Sequence, residues 1–463
     1  MSRAMRIACM GISAAFILLA AVPARAQEAP PVVVFENVTV LPMDSERVLE
    51  SQNVVIRGRR IAEIGPAARV RAPEGALRID CRGKFLMPGL AEMHGHLPSP
   101  QAAQQVGEDF LDRVLLLFVA NGVTTVRGML GAPLHLQVKA EIARGERLGP
   151  QIFTTGPSLN GTSVPTMDVA WRTVSEQRAA GYDLLKIHPG IKREVYDEIA
   201  RTARRERIPL GGHVPADVGL LRVFISGQAS VDHLDGYAEA LIKHGVTPQG
   251  EPGFFALHWV DDLDESKLPA LAAASRAART WNVPTQVLVE NRYADDSPEA
   301  RARRPEMRYV PAPMLSQWVE AVKKETAEPG FTPERARRFI QLRRRIIKAL
   351  HDAGAGILLG ADTPQVFNVP GFATVQELGA LVAAGLTPYE ALEAGTRSPA
   401  LYFGLEESFG TVEVGKRADL LLLEANPLLD IANVRRRAGV MVAGRWLSAE
   451  ELERRLAAFV NPS

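Results

Sequence analysis

The stretch FLMPGLAEMHGH, residues 85–96, is an apolar run that ends in two histidines one residue apart. In an extended strand, residues i and i+2 point to the same side. His94 and His96 can therefore face one metal ion. Gly95 leaves room where backbone and ligand crowd together. A bare HxH pair arises often by chance. Its place at the end of a strand-like run gives it weight, because barrel enzymes keep their chemistry at the C-terminal ends of strands.

Seven further runs of this kind lie downstream: GVTTVRG (122–128), PQIFTTGPSL (150–159), DLLKIHP (183–189), IPLGGHV (208–214), SVDHL (230–234), NVPTQVLVE (282–290) and GILLGADTP (356–364). Helix-like sequence follows most of them. Eight strand–helix units closing into a (β/α)8 TIM-like barrel over residues 87–405 is the simplest α/β arrangement. An open doubly wound sheet is the alternative, but neither a glycine-rich dinucleotide fingerprint nor a phosphate loop supports it. A barrel unit needs roughly thirty residues, and the last two intervals are much longer. Residues 236–270 and 291–335 therefore read as insertions over the active site. They carry Tyr237, His258, Trp259, Tyr293, Tyr309 and Trp318, each of which alone suits packing better than substrate contact.

Both chain ends read differently. Residues 32–80 hold short valine-rich or alternating runs between turn residues, as do GTVEVGKRADLLLLEANP (410–427) and GVMVAGRWL (439–447). Segments 32–86 and 406–463 are expected to pack into one small β-sandwich domain. At the N-terminus, Arg3 and Arg6 precede the apolar run CMGISAAFILLAAV (9–22) and the junction PARAQ (23–27). This predicts a signal peptide over 1–26, cut after Ala26, and a secreted protein, periplasmic in a Gram-negative bacterium. The run is shorter than the about 20 residues of a membrane span, so no stable membrane insertion is expected.

Cleavage would leave Cys81 as the sole cysteine. That excludes an internal disulfide and thiolate metal sites, so a metal would need nitrogen and oxygen ligands. Taking the three leader arginines from the net charge of +1 leaves −2. A chain so near neutrality is not an obvious nucleic-acid binder. The basic clusters at 301–308 and 335–345 lie in helix-like sequence and read as solvated faces. Oligomeric state is left open, a homo-oligomer included.

The remaining chemistry repeats the placement of the HGH pair. Lys186 sits in LLKIHP, His213 ends LGGH, His233 sits in SVDHL and Asp362 ends LLGAD. A buried histidine is usually only hydrogen-bonded, and a buried lysine is costly unless paired or modified. Lys186 either pairs with a carboxylate such as Asp362, or it is modified.

With PGLAEMHGH, GVTTVR, LLKIHP, GADTP, AGLTPYEALEAGTRSPA (384–400) and GTVEVGKRADLLLLEANPL (410–428) together, the chain resembles the amidohydrolase superfamily. The likeness is to its imidazolonepropionase-like and prolidase-like metal-dependent hydrolases, over nearly all of the chain after the leader. The resemblance implies two divalent metal ions, zinc by default. His94, His96 and Asp362 would hold the more buried ion, and His213 and His233 the more exposed one. Lys186, carboxylated by carbon dioxide, would bridge them. A free ammonium cannot ligate a cation, whereas a carbamate is an anionic two-oxygen ligand. Asp362 would take the proton of the attacking water and pass it to a leaving amine.

The implied substrate is a small molecule with an amide-like bond, foremost an Xaa-Pro type dipeptide or an N-acyl amino acid. The imidazolonepropionase branch is implied to use one metal and no bridging lysine, so LLKIHP argues against it. A substrate carboxylate would want a cationic or hydroxyl partner. Arg127 is the first candidate, followed by Tyr237, Arg292 and Arg308. His188 shares the face of Lys186 and could line the pocket. His135, His244 and His351 are not expected in the chemistry. Two rival readings are a lactone or phosphotriester hydrolase on the same metal site, favoured by an apolar pocket without a carboxylate partner, and a non-catalytic periplasmic binding protein.

Overall fold

The computed structural model of the protein describes residues 32–107 and 109–460. The leader expected at 1–26 lies outside these residues.

The valine-rich start becomes β1 (Val33–Val40), antiparallel to β2 (Leu49–Arg57), which pairs with β3 (Arg60–Pro66). β4 (Leu77–Asp80) and β5 (Phe85–Pro88) run parallel to β1, against its first and last residues respectively. The stretch 85–96 then changes sheets. Gly89 separates β5 from β6 (Leu90–Gly95), and a Cβ there would meet the Thr124 side chain at 2.3 Å. Glycine is what lets the chain pass between the two layers.

β6, β7 (Val123–Gly128) and β8 (Gln151–Thr154) form a parallel sheet. β9 (Leu185–Ile187), β10 (Leu210–Gly212), β11 (Ser230–Asp232) and β12 (Trp281–Val283) form another. Helices such as Pro133–Arg144, Met167–Ala180 and Arg193–Glu206 separate successive strands. Isolated parallel bridges join Thr155 to Leu184, Asn282 to Ile357 and Gly95 to Thr363. The two sheets therefore meet through single bridges rather than one continuous ladder. The run at 356–364 contributes bridges but no strand of its own.

One expected strand is mostly helix. Of the run 282–290, only its start lies in β12, and Gln286–Arg292 is helical. Thr285 turns into the left-handed region (φ 48°) and ends the strand. The buried Glu377 carboxylate then accepts hydrogen bonds from the Gln286 and Val287 amides, at 2.9 and 2.6 Å, and starts the helix. A short apolar run does not by itself distinguish buried strand from buried helix.

β13 (Leu420–Leu423), β14 (Arg437–Val442) and β15 (Arg445–Ser448) complete the terminal sheet. Its order is β15-β14-β13-β5-β1-β2-β3, with β4 also on β1. The two chain ends thus share hydrogen bonds along β5 and β13 in one branched sheet, rather than only packing on each other as two facing sheets. Phe35, Val54, Ile56, Leu420, Leu422 and Met441 form its buried core, with Trp446 edge-on to Phe35. Each such side chain stabilises by roughly 1.5–3 kcal/mol on burial. Cys81 is a free, buried thiol in this core, and burial pushes its pKa up to about 12. No helix among the described residues is long and apolar enough to cross a membrane.

Truncation after Leu405 would remove β13 to β15 and leave the β5 edge and the Phe35 core uncovered. The truncated chain is expected to be insoluble on expression. Recovery of a soluble, fully active truncation would contradict the shared sheet.

Candidate metal centre

His94 lies in β6, and His96 just beyond it. Lys186 lies in β9, and His213 and His233 directly follow β10 and β11. Asp362 adjoins the bridge from Thr363 to Gly95. All six side chains line one cavity of about 350 Å3, together with His188, Arg292, Gln365, Phe254, Phe255 and three other residues.

The distances are short. Asp362 Oδ1 lies 2.6 Å from His96 Nε2 and 4.0 Å from His94 Nε2, and Asp362 Oδ2 lies 3.7 Å from His233 Nδ1. The Lys186 amine is 3.1 Å from His94 Nε2. The His213 and His233 ring centroids are 4.7 Å apart, and those of His188 and His213 are 5.0 Å apart. Among the described residues no carboxylate lies within ion-pair distance of Lys186, so the expected alternative of a Lys186–Asp362 pair is not formed.

Backbone strain helps to aim these groups. His233 (φ 64°) and Asp362 (φ 57°) are left-handed, a conformation costing about 1–3 kcal/mol for such residues. Neighbours hold them there. Arg343 donates to the carbonyls of His233 and Pro284, at 2.7 and 2.6 Å. Asn368 donates to the Ala361 carbonyl at 2.6 Å. Arg343 belongs to the cluster expected to be a solvated face. It is instead fully buried, because the helix Pro333–Asp352 turns this residue inward.

Burial sets the protonation. It holds His94 and His233 well below the usual imidazole range, with Lys186 next in effect for His94 and the His94 charge next for His233. It lowers Lys186 to about 8 and, with the Lys186 charge, lowers His188 to about 3. Neutral imidazoles keep a lone pair for a metal. The Nδ1 atom of His96 is buried without a hydrogen-bond partner, and His94, His233 and Asp362 each offer a ligand atom within 4.8 Å of the others. Such a nitrogen and oxygen donor set fits a divalent ion.

Three of the four expected carboxylate partners are elsewhere. Arg127 is fully buried, with its guanidinium bound to Asp232, Ser230, Tyr402 and the Met93 carbonyl, because β7 points it across the interior. Tyr237 is buried and donates to Asn282 Oδ1 at 2.7 Å. Arg308 is exposed and bonded to the Tyr309 hydroxyl, away from the cavity. Arg292 does line the cavity, but its Nε and Nη2 form a fork with Glu325 at 2.6 and 2.7 Å. His188 lines it as expected. His135 is buried against the Pro98 carbonyl, and neither His244 nor His351 is among the lining residues.

Sequence reasoning missed several residues. Phe254 and Phe255, not the aromatics singled out in the insertions, reach the site; Phe255 stacks on His233 at 5.3 Å. Thr285 and Asp235 contact His233 Nδ1 and His213 Nδ1, each at 3.0 Å. Glu92 accepts bonds from the amides of His94 and Ala361 and from the Thr374 hydroxyl, at 2.9, 2.8 and 2.6 Å. Glu92, Asp232 and Asp235 lie within two residues of an expected ligand, which was the available signal.

Residues 85–447 match the amidohydrolase family model. The chain belongs to the amidohydrolase family. It is 25% identical over 438 residues to an adenine deaminase of Rubrobacter xylanophilus, covering 92% of this chain and 59% of that protein. The chain thus spans well under two thirds of that relative. An imidazolonepropionase of the same organism is 25% identical over 397 residues, covering 82% of this chain and 86% of its own. A Xaa-Pro dipeptidase structure with bound methionine superposes with a TM-score of 0.66 at 18% identity, covering 90% of this chain and all of the other. These likenesses carry a TIM-type barrel fold with an added domain.

Replacing Glu92 by alanine would leave two buried amides and a hydroxyl without acceptors, in a residue that joins β6 to the Asp362 segment. A loss of roughly 2–5 kcal/mol in denaturant unfolding is expected. A variant with wild-type stability would contradict this bracing role.

Proposed function

We propose that the protein is a binuclear metal-dependent hydrolase of amide-like bonds, acting on a dipeptide of Xaa-Pro type or an N-acyl amino acid. The convergence of His94, His96, Lys186, His213, His233 and Asp362 on one cavity carries the proposal. The reading includes a closed eight-stranded barrel over 87–405, supported by the bridges at Thr155, Ile357 and Thr363. It also treats 32–86 and 406–463 as one β domain and the leader as an export signal. His94, His96 and Asp362 would hold one ion and His213 and His233 the other, with carboxylated Lys186 between them. Zinc suits these donors. With a pKa of about 8, Lys186 has about half its amine free near pH 8, the form that adds carbon dioxide.

Bound divalent ions would supply a water of lowered pKa and a polarised scissile carbonyl. The chain's own residues do the rest. Asp362 takes the proton of the attacking water and returns it to the leaving amine. Neutral His188 donates a ring N–H to the carbonyl oxygen of the substrate. Leu130, Phe254, Phe255, Leu288 and Pro364 exclude water and seat the apolar part of the substrate. Arg292, with Nε and Nη2 on Glu325, turns Nη1 to the substrate carboxylate.

One observation favours a second reading. Glu325 already compensates the Arg292 charge, and much of the remaining lining is apolar, which would suit a lactone or phosphotriester.

A panel of dipeptides, N-acyl amino acids, lactones and phosphotriesters on zinc-loaded protein decides between them. Release of an amino acid from at least one amide is expected, and turnover of lactones or phosphotriesters alone would favour the second reading. Lys186→Ala should lose bound metal and about a thousandfold or more in kcat/KM, about 4 kcal/mol. Formate supplied with zinc should restore part of it. Unchanged metal content in this variant would contradict the bridging role.

The pH dependence has a definite sign. The free-amine fraction of Lys186 rises as pH passes through about 8. After carbon dioxide is stripped under acid, reactivation by zinc at a fixed concentration of dissolved carbon dioxide should therefore quicken from pH 7 to pH 9. A rate that is flat or falling over that range would contradict carbamate formation.

A further inference from the structure

Arg127 on β7 and Asp232 on β11 are both 0% exposed, and Arg127 Nη2 meets the two Asp232 oxygens at 3.1 and 3.0 Å. The pair lies directly behind His94. Asp232 Oδ2 is 2.8 Å from His94 Nδ1, while His94 Nε2 faces the Lys186 amine at 3.1 Å. The remaining donors of Arg127 are also committed: Nε to the Met93 carbonyl at 2.5 Å, and Nη1 to the Ser230 and Tyr402 hydroxyls at 2.9 and 3.0 Å. Ser230 in turn donates to Asp232 Oδ1 at 2.8 Å.

A buried ion pair is an expensive way to fill space. Desolvation costs several kcal/mol per ion, and a well-packed apolar pair is often as stable or more so. The geometry here gives the charges something to hold. Arg127 grips the backbone next to His94, and it keeps Asp232 against one ring nitrogen of His94. The other nitrogen is left for the cavity. Nδ1 and Oδ2 lie at hydrogen-bond distance, though not in hydrogen-bond alignment. With a proton on Nδ1, the lone pair sits on Nε2, the atom that faces the site.

We propose that Asp232, held by Arg127, is a positioning residue that fixes the ring orientation and tautomer of His94 for metal binding. The inference rests on the metal-centre reading above.

Two double variants separate positioning from packing. Arg127→Met with Asp232→Leu removes the charges and the acceptor. Arg127→Met with Asp232→Asn removes the charges and keeps a carbonyl acceptor. Neither strands a buried ion. Zinc affinity is read by competition with a fluorescent chelator, and folding by thermal unfolding. The leucine double variant should fold yet bind zinc roughly 10–100-fold more weakly than wild type. The asparagine double variant should recover most of that loss. Equal zinc affinity in the two would overturn the proposal. A measurement on the wild type needs no variant: nitrogen-15 shifts of His94 in zinc-loaded protein should show a protonated Nδ1, and a protonated Nε2 would also overturn it. Wild-type protein that takes up no zinc would instead sink the metal-centre reading itself.

Discussion

A lysine amine with no exposed surface and, among the described residues, no carboxylate in contact is the constraint around which this site is arranged. Lys186 touches His94 Nε2 and is walled by the surrounding strands. An isolated buried ammonium costs several kcal/mol, so the group is driven toward its neutral form or toward modification. The imidazoles beside it respond in the same direction and stay neutral. Asp362, which lines the same cavity, faces His96 instead. A lysine amine of lowered pKa, neutral imidazoles at His94, His188 and His233, and the Asp362 carboxylate make an arrangement that disfavours trapped protons and offers several lone pairs. Two divalent ions and a carbamate on Lys186 would satisfy both conditions together.

The surrounding structure holds that arrangement under strain. Left-handed backbone at His233 and Asp362 is opposed by Arg343 and Asn368, which bond the adjacent carbonyls. Glu92 ties the amide of His94 to that of Ala361. Two of these braces span long sequence separations, Arg343 to His233 at the end of β11 and Glu92 on β6 to Ala361. That compensates for strands of only three residues at β9, β10, β11 and β12, which could not orient side chains by themselves. Stability and function meet here, since the groups that pin the strand ends also aim the donors.

Much of this was legible in the sequence. The HGH pair and the histidines, lysine and aspartate at the ends of apolar runs carry both spacing and chemistry, and the structure brings all of them to one cavity. The valine-rich ends likewise announced strands, though not their shared sheet. What failed was orientation. Arg127 follows an apolar run as a pocket residue would, yet β7 turns it inward, and only the partner Asp232, distant in sequence, explains its burial. Tyr237 failed for the same reason. The run 282–290 was read as one strand because a capping carboxylate at Glu377 leaves no local mark. Phe255 reaches His233 through left-handed turns at Phe255 and Ala256, which no periodicity encodes.

The account turns on whether Lys186 carries a carbamate between two ions. Anomalous diffraction from catalytically active, zinc-loaded crystals measures this directly. The account predicts two metal peaks about 3.5–4 Å apart, with density extending beyond Lys186 Nζ to both. A single metal peak beside a bare Lys186 amine at full occupancy would contradict it.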